Sequence, residues 1–120
     1  MKKVLIVDDM TFVRFALGTI LEKNGYEVVG EAKNGAEAVR KYAECAPDIV
    51  TMDITMPEMS GIEALKAILA KDPKAKVVIV SAMGQESFVK EAIVSGAKHF
   101  ILKPFKDEMV MKTINSIAAL

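Results

Sequence analysis

The chain has 120 residues, of which 52% are hydrophobic, and its 16 basic and 16 acidic side chains give a formal net charge of zero at pH 7. That length suits one domain with a substantial core rather than two. The balanced charge argues against a nucleic-acid partner, since such domains are usually strongly basic. No apolar run approaches the roughly 18 residues that would cross a bilayer, and the single cysteine, Cys45, excludes an intramolecular disulfide. We therefore expect one cytoplasmic domain over residues 1–120, without membrane insertion.

Strand and helix patterns alternate along the chain. Short apolar runs rich in β-branched residues predict strands at Lys3–Val7, Tyr26–Ala32, Ile49–Asp53, Val77–Val80 and His99–Leu102. Apolar residues at helical spacing predict helices at Thr11–Asn24, Ala36–Cys45, from Gly61 to Asp72, at Gln85–Ser95 and from Lys106 to the C-terminus. The spacing counts Phe12 and Phe15 among the apolar positions of the first helix. It places Met109 on the inner face of the last.

This alternation, repeated five times with short connections, predicts an α/β fold. Parallel strands need crossover connections, and right-handed crossovers place helices on both faces of the sheet. We expect a five-stranded parallel sheet of flavodoxin-like order 2-1-3-4-5, with five helices covering its faces. In that order the direction of winding reverses between the first and third strands, and ligands bind at the carboxyl edge of that point.

Four of the five predicted strands end in polar side chains. Asp8 and Asp9 follow the first strand, and Asp53, Ser81 and Lys103 end or follow the third, fourth and fifth strands. The second strand, ending near Glu31, contributes no obvious group. Taken singly, each of these residues is also explained as a turn or helix-cap residue. Their arrival at one predicted ligand-binding edge favours a functional site.

The chemistry of this set points to a metal ion and a phosphoryl group. Three carboxylates brought together repel one another, and a divalent cation relieves the repulsion. Oxygen ligands with room for water suit Mg²⁺. An ammonium group at Lys103 and a hydroxyl at Ser81 would stabilise a group with several negative oxygens, and phosphoryl transfer needs mainly positioning and charge neutralisation. Asp53 would be the nucleophile, because carboxylates can form acyl phosphates.

Four segments together resemble the receiver-domain pattern of bacterial two-component response regulators: VLIVDD, DIVTMDITMPEMSG, VIVSA and FILKPF. The resemblance covers essentially the whole chain and is strongest to the stand-alone chemotaxis regulators. It implies that Asp53 is the phosphoacceptor and Ser81 the switch hydroxyl. It further implies Mg²⁺ ligation by Asp8, Asp9, Asp53 and the backbone carbonyl of Thr55. Lys103 matches the lysine that contacts the phosphoryl group and precedes a proline, Pro104, that is often cis. Phe100 matches the switch aromatic, where many relatives have tyrosine.

The resemblance also implies a function and partners. A chemotaxis histidine kinase would donate the phosphoryl group, and the phosphorylated protein would bind the flagellar motor switch protein to control rotation. A phosphatase acting on this regulator is a further implied partner, and a monomer is expected. Such a protein is a switch rather than an enzyme, because it catalyses only its own phosphorylation and slow dephosphorylation.

The sequence leaves three alternative functions open. The first is a receiver of another two-component system or phosphorelay, which would share the same chemistry. The second, a flavin- or nucleotide-binding protein, is disfavoured because Asp8 and Asp9 stand where a phosphate-cradling loop should follow the first strand. The third is a metal-dependent phosphatase, but the two aspartates are adjacent and lack the D-x-D spacing of such enzymes.

Overall fold

The computed structural model describes all 120 residues and shows the predicted five-stranded parallel sheet with five helices. The strands are β1 (Lys3–Val7), β2 (Glu27–Ala32), β3 (Ile49–Asp53), β4 (Val77–Ser81) and β5 (His99–Leu102). The helices are α1 (Thr11–Lys23), α2 (Gly35–Cys45), α3 (Gly61–Lys71), α4 (Glu86–Ser95) and α5 (Asp107–Ala118). The strand order β2-β1-β3-β4-β5 and the parallel pairing confirm the predicted flavodoxin-like topology.

Two apolar cores lie on opposite faces of the sheet. Alternate residues of a strand point to opposite faces, so Leu5 of β1 packs in the core under α2, α3 and α4, and Ile6 packs in the core under α1 and α5. The central strands β3 and β4 are buried along their whole length. Asp53 and Ser81 are therefore the last residues of the two strands that are buried at every position.

Several element boundaries differ from the predicted ones for local reasons. Tyr26 precedes β2 because its N–H donates to the Leu21 carbonyl at 3.0 Å and its hydroxyl bonds Asn115 at 2.6 Å, which ties it to the turn after α1. Helix α2 begins one residue early because the Asn34 side chain caps it, accepting from the Glu37 N–H. Strand β4 includes Ser81, which pairs with Leu102.

The predicted inner face of the last helix was wrong for Met109 of α5, which is 57% exposed. Phe12 and Phe15, counted among the apolar positions of α1, are 76% and 72% exposed. Helix α1 instead packs through Leu17, Ile20 and Leu21. A helix with more apolar positions than one face can bury could turn either of two faces toward the core. Contact with β1, β2 and α5 determines which face of α1 is buried. The remaining apolar side chains stay on the surface.

Every helix of the protein is too short or too polar to cross a membrane.

Candidate functional site

The loop between β3 and α3 is held tightly against the end of β3. The Ile54 N–H donates to Asp53 Oδ1 at 2.9 Å, and the Gly61 N–H donates to the Ile54 carbonyl at 2.7 Å. A Cβ atom on Gly61 would lie 1.8 Å from the Asp53 carbonyl oxygen, so only glycine allows this approach. Ser60 then starts α3 with a capping box formed with Glu63. These contacts fix where the Asp53 carboxylate stands.

The same loop is anchored to α2. The Gly35 N–H donates to the Met59 carbonyl at 3.0 Å, and a Cβ atom on Gly35 would lie 2.3 Å from that oxygen. The first turn of α2 therefore supports the loop that carries Thr55.

The structure brings the three predicted carboxylates together. Asp8, Asp9 and Asp53 each present an oxygen within 4.8 Å of the others. Asp8 and Asp53 are only 1% and 6% exposed, whereas Asp9 lies at the surface. Asp8 is held in place by the Met10 N–H, which donates to its Oδ1 at 2.9 Å.

Lys103 reaches into this cluster from the end of β5. Its Nζ donates to Asp8 Oδ2 at 2.9 Å and to Asp53 Oδ1 at 3.3 Å. The peptide bond to Pro104 is cis, as the resemblance implies. Burial alone would lower the pKa of Lys103, but its hydrogen bond to Asp8 and the charges of Asp53 and Asp8 outweigh that effect and raise it. The ammonium group therefore stays charged at neutral pH.

The environment of Asp53 disfavours its ionised form. Burial raises the pKa of Asp53 to about 6, and the negative charge of Asp8 adds to this rise. The Lys103 ammonium and the Ile54 N–H act in the opposite direction without cancelling it. One ammonium group among three carboxylates leaves an excess of negative charge around Asp8 and Asp53, which are both buried.

The donor set fits a hard divalent cation. Three carboxylates supply only oxygen ligands, and an exposed Asp9 leaves one side open to water, which suits Mg²⁺. The resemblance to receiver domains also implies Mg²⁺ at an acidic cluster of this kind. The resemblance adds the Thr55 carbonyl, and the structure places Thr55 two residues beyond Asp53 in the same loop.

Ser81 and Phe100 border a cavity of about 270 Å³ beside the site. Ser81 is buried at the end of β4, and Phe100 on β5 is 43% exposed, so its ring lies outward. Ala82, Val89 of α4 and Leu102 of β5 complete the apolar lining. The space between Ser81 and Phe100 is large enough for side chains to rearrange within it.

The sequence did not indicate a role at the site for three residues, Arg14, Glu31 and Gln85. Arg14 donates from Nη1 to the Asp8 carbonyl at 2.6 Å and from Nε to Glu31 Oε1 at 2.9 Å, so β2 does reach the site through this pair. Arg14 lies near the start of the helix that follows the acidic pair, and this position could have indicated that it lies near the site. Gln85, which contacts Ala82 and Thr55, had no such signal.

Exposed large apolar side chains include two groups. One consists of Met10, Phe12 and Phe15 around the start of α1. The other consists of Phe100, Leu102 and Met109 on β5 and α5, and it borders a cavity of about 540 Å³. Single exposed apolar residues are ordinary, but grouped ones indicate contact surfaces.

The sequence is similar to known proteins over nearly the whole chain. The sequence model of the response regulator receiver domain matches residues 4–115. The chain is 58% identical over 117 residues to the chemotaxis protein CheY of Thermotoga maritima, covering 98% of each chain. It is also 58% identical over 113 residues to CheY of Bacillus subtilis, covering 94% of each.

A solved structure extends the likeness to three dimensions. CheY in the CheX–CheY–BeF₃–Mg²⁺ complex of Borrelia burgdorferi superposes with a TM-score of 0.93 at 42% identity, over 97% of this chain and 88% of that one. The chain therefore belongs to the response regulator receiver domain family, in which it is a CheY-like member of the chemotaxis type.

Proposed function

We propose that this protein accepts a phosphoryl group on Asp53 from a chemotaxis histidine kinase and, once phosphorylated, binds the flagellar motor switch protein to control rotation. The observation that carries the proposal is the buried Asp53 carboxylate, with the Lys103 ammonium 3.3 Å away and two further carboxylates in the same cluster. The CheY relatives at 58% identity support the chemotaxis assignment.

The transfer step needs one bond made and one broken. An oxygen of ionised Asp53 attacks the phosphorus of the kinase phosphohistidine, the P–N bond breaks, and its electron pair returns to the imidazole nitrogen. Lys103 supplies a fixed positive charge to the transferred group. Mg²⁺, held by Asp8, Asp9, Asp53 and the Thr55 carbonyl, supplies further positive charge when bound.

The output would follow from movement at Ser81 and Phe100. In the proposal the Ser81 hydroxyl moves toward the phosphoryl oxygens and Phe100 turns inward into the neighbouring cavity of about 270 Å³. That turn would change the patch formed by Phe100, Leu102 and Met109. Because a partner shifts the equilibrium only by its differential affinity for the two states, this patch is where the motor switch protein should discriminate between them. Phe100 has no hydroxyl, so its contribution is the ring alone.

The remaining parts of the proposal concern organisation and partners. Residues 1–120 act as one monomeric receiver unit in the cytoplasm, working as a phosphoacceptor switch rather than as an enzyme. A phosphatase that removes the phosphoryl group is a further proposed partner, and the CheX–CheY complex among the similar structures supports contact with a second protein.

Intact-mass measurement after incubation with acetyl phosphate and Mg²⁺ tests the phosphoacceptor. We expect a single phosphoryl adduct that a chelator abolishes and that Asp53→Asn lacks. Asp107→Asn, an exposed aspartate in the first turn of α5, is the matched control and should keep the adduct. An adduct that persists in Asp53→Asn, or none in the wild type, would refute the proposal.

Binding measurements then separate motor control from another output. We expect the affinity for the motor switch protein to rise on phosphorylation, and Phe100→Ala to reduce that rise. Equal affinity for the phosphorylated and unphosphorylated forms would favour a receiver that serves another two-component system or a phosphorelay.

A further inference from the structure

Gln85 connects the two loops on either side of Asp53. Its Oε1 accepts from the Ala82 N–H at 2.7 Å in the loop after β4, and its Nε2 donates to Thr55 Oγ1 at 3.0 Å in the loop after β3. Gln85 is half-buried although its neighbours Gly84 and Glu86 are exposed. It is the only glutamine in the chain, and its contact with Thr55 is the one hydrogen bond between these two loops.

Both groups that Gln85 holds belong to the immediate surroundings of the phosphoacceptor. Asp53 pairs with Val80, so the Ala82 N–H lies just beyond the strand ends, directly after the Ser81 switch position. A backbone N–H at such an edge is a donor suited to an anion. In the unphosphorylated protein the Gln85 amide oxygen already occupies this donor. A phosphoryl oxygen on Asp53 would compete for it.

We propose that Gln85 is a latch that holds the two loops together over unphosphorylated Asp53 and yields the Ala82 N–H to the phosphoryl group. This inference deepens the proposed function and rests on it. Helix α4 begins at Glu86, immediately after the latch, so release of Gln85 also frees the first turn of α4 to move. The latch therefore slows capture of the phosphoryl group and links capture to the position of α4.

Gln85 acts through Ala82 and Thr55, and it is a positioning residue. Its bond to Thr55 involves the side-chain hydroxyl, whereas the proposed Mg²⁺ ligand is the Thr55 backbone carbonyl. Loss of the latch should therefore change the rate of phosphorylation at saturating Mg²⁺ and leave the Mg²⁺ affinity nearly unchanged. General damage to the site would lower both together.

The first measurement is amide hydrogen exchange by NMR in the unphosphorylated full chain. In Gln85→Ala we expect the Ala82 amide to exchange roughly fivefold faster, the equivalent of one ordinary hydrogen bond. The matched control is Glu86→Ala, because Glu86 Oε1 accepts only from the Gly84 N–H within its own loop, at 3.4 Å. The control should leave the Ala82 exchange rate unchanged.

The second measurement is the phosphorylation rate with acetyl phosphate, in which the P–O bond of the donor breaks, the Asp53 O–P bond forms and acetate leaves. We expect Gln85→Ala to raise this rate by roughly three- to fivefold, since one hydrogen bond no longer has to be broken. Thr55→Val should raise it similarly, the control Glu86→Ala should retain the wild-type rate, and the double variant Gln85→Ala/Thr55→Val should not exceed the larger single effect.

Unchanged Ala82 exchange together with an unchanged phosphorylation rate in Gln85→Ala would overturn the latch, as would parallel losses of rate and Mg²⁺ affinity. These outcomes differ from failure of the proposed function, in which the wild-type protein forms no phospho-adduct. In that case the Ala82 exchange rate still decides whether the latch itself exists.

Discussion

Replacing Asp53 with asparagine should make the metal-free protein more stable at neutral pH. Asp53 is 6% exposed, and burial raises its pKa to about 6, with Asp8 adding to the rise. An ionised carboxylate in that position therefore opposes folding. Asparagine has the same shape and keeps an oxygen that can accept from the Ile54 N–H, so the substitution removes the charge and little else.

The magnitude follows from the pKa difference. A rise from 3.8 to about 6 is about two pKa units, and at roughly 1.4 kcal/mol per unit it corresponds to about 3 kcal/mol. Loss of the bond from Lys103 to Asp53 is already included in this value, and Lys103 keeps its shorter bond to Asp8 at 2.9 Å. We expect Asp53→Asn to raise the free energy of unfolding by about 2–3 kcal/mol at pH 7.

The effect should depend on pH in one direction. Because the pKa of Asp53 is higher in the folded protein than in the unfolded chain, the folded state binds more protons between about pH 4 and pH 6. The contribution of Asp53 to stability is therefore fully favourable below that window and is lost as the pH rises through it. The advantage of Asp53→Asn should be complete above about pH 6 and vanish near pH 4.

Urea unfolding with a chelator present, at about pH 7.5 and about pH 4, measures both quantities. The exposed Asp107→Asn is the control and should change the free energy of unfolding by less than about 0.5 kcal/mol at either pH. Equal or lower stability of Asp53→Asn at pH 7.5, with an unchanged denaturant slope, would refute the reasoning. The same holds if its advantage persists undiminished near pH 4.

Three further substitutions test the packing around the site, each by urea unfolding. Thr51→Val should stabilise by about 1 kcal/mol, because the buried Thr51 hydroxyl has no hydrogen-bond partner; destabilisation would mean that the hydroxyl is satisfied. Gly61→Ala should cost more than about 3 kcal/mol, since the new Cβ would meet the Asp53 carbonyl at 1.8 Å, and a soluble variant of wild-type stability would contradict this. Ser60→Ala should cost about 1 kcal/mol through loss of the α3 capping box, whereas Ser60→Thr should restore most of it.

The sequence was sufficient for the sheet and for the residues at its edge. Buried parallel strands are continuous apolar runs, and the first polar residue after each run marks the carboxyl end of the strand, as at Asp53 and Lys103. Strand order then determines which ends are neighbours. The apolar runs are short-range features of the sequence, and the strand order follows from one topological rule. Neither requires knowledge of side-chain packing.

The buried face of α1 and the hydrogen bond between Gln85 and Thr55 depend on tertiary contacts, so the sequence alone could not predict them. The phase of α1, and with it the exposure of Phe12 and Phe15, depends on which face meets the sheet and α5. The bond between Gln85 and Thr55 joins residues 30 positions apart in two loops of irregular structure. No periodic pattern exists in such loops, so a side chain that spans them is visible only once the strands beneath have been placed.

The anchoring of the β3–α3 loop to α2 gives the site a fixed side and a movable side. On the α2 side a backbone hydrogen bond from Gly35 to Met59 holds the loop, and the absence of a side chain on Gly35 lets the two backbones touch. On the α4 side the hydrogen bond to the loop comes from an amide side chain, which can turn away without disturbing the backbone. We therefore expect a change at Asp53 to meet less resistance toward α4 and β5 than toward α2, so that the direction of the response does not depend on a partner.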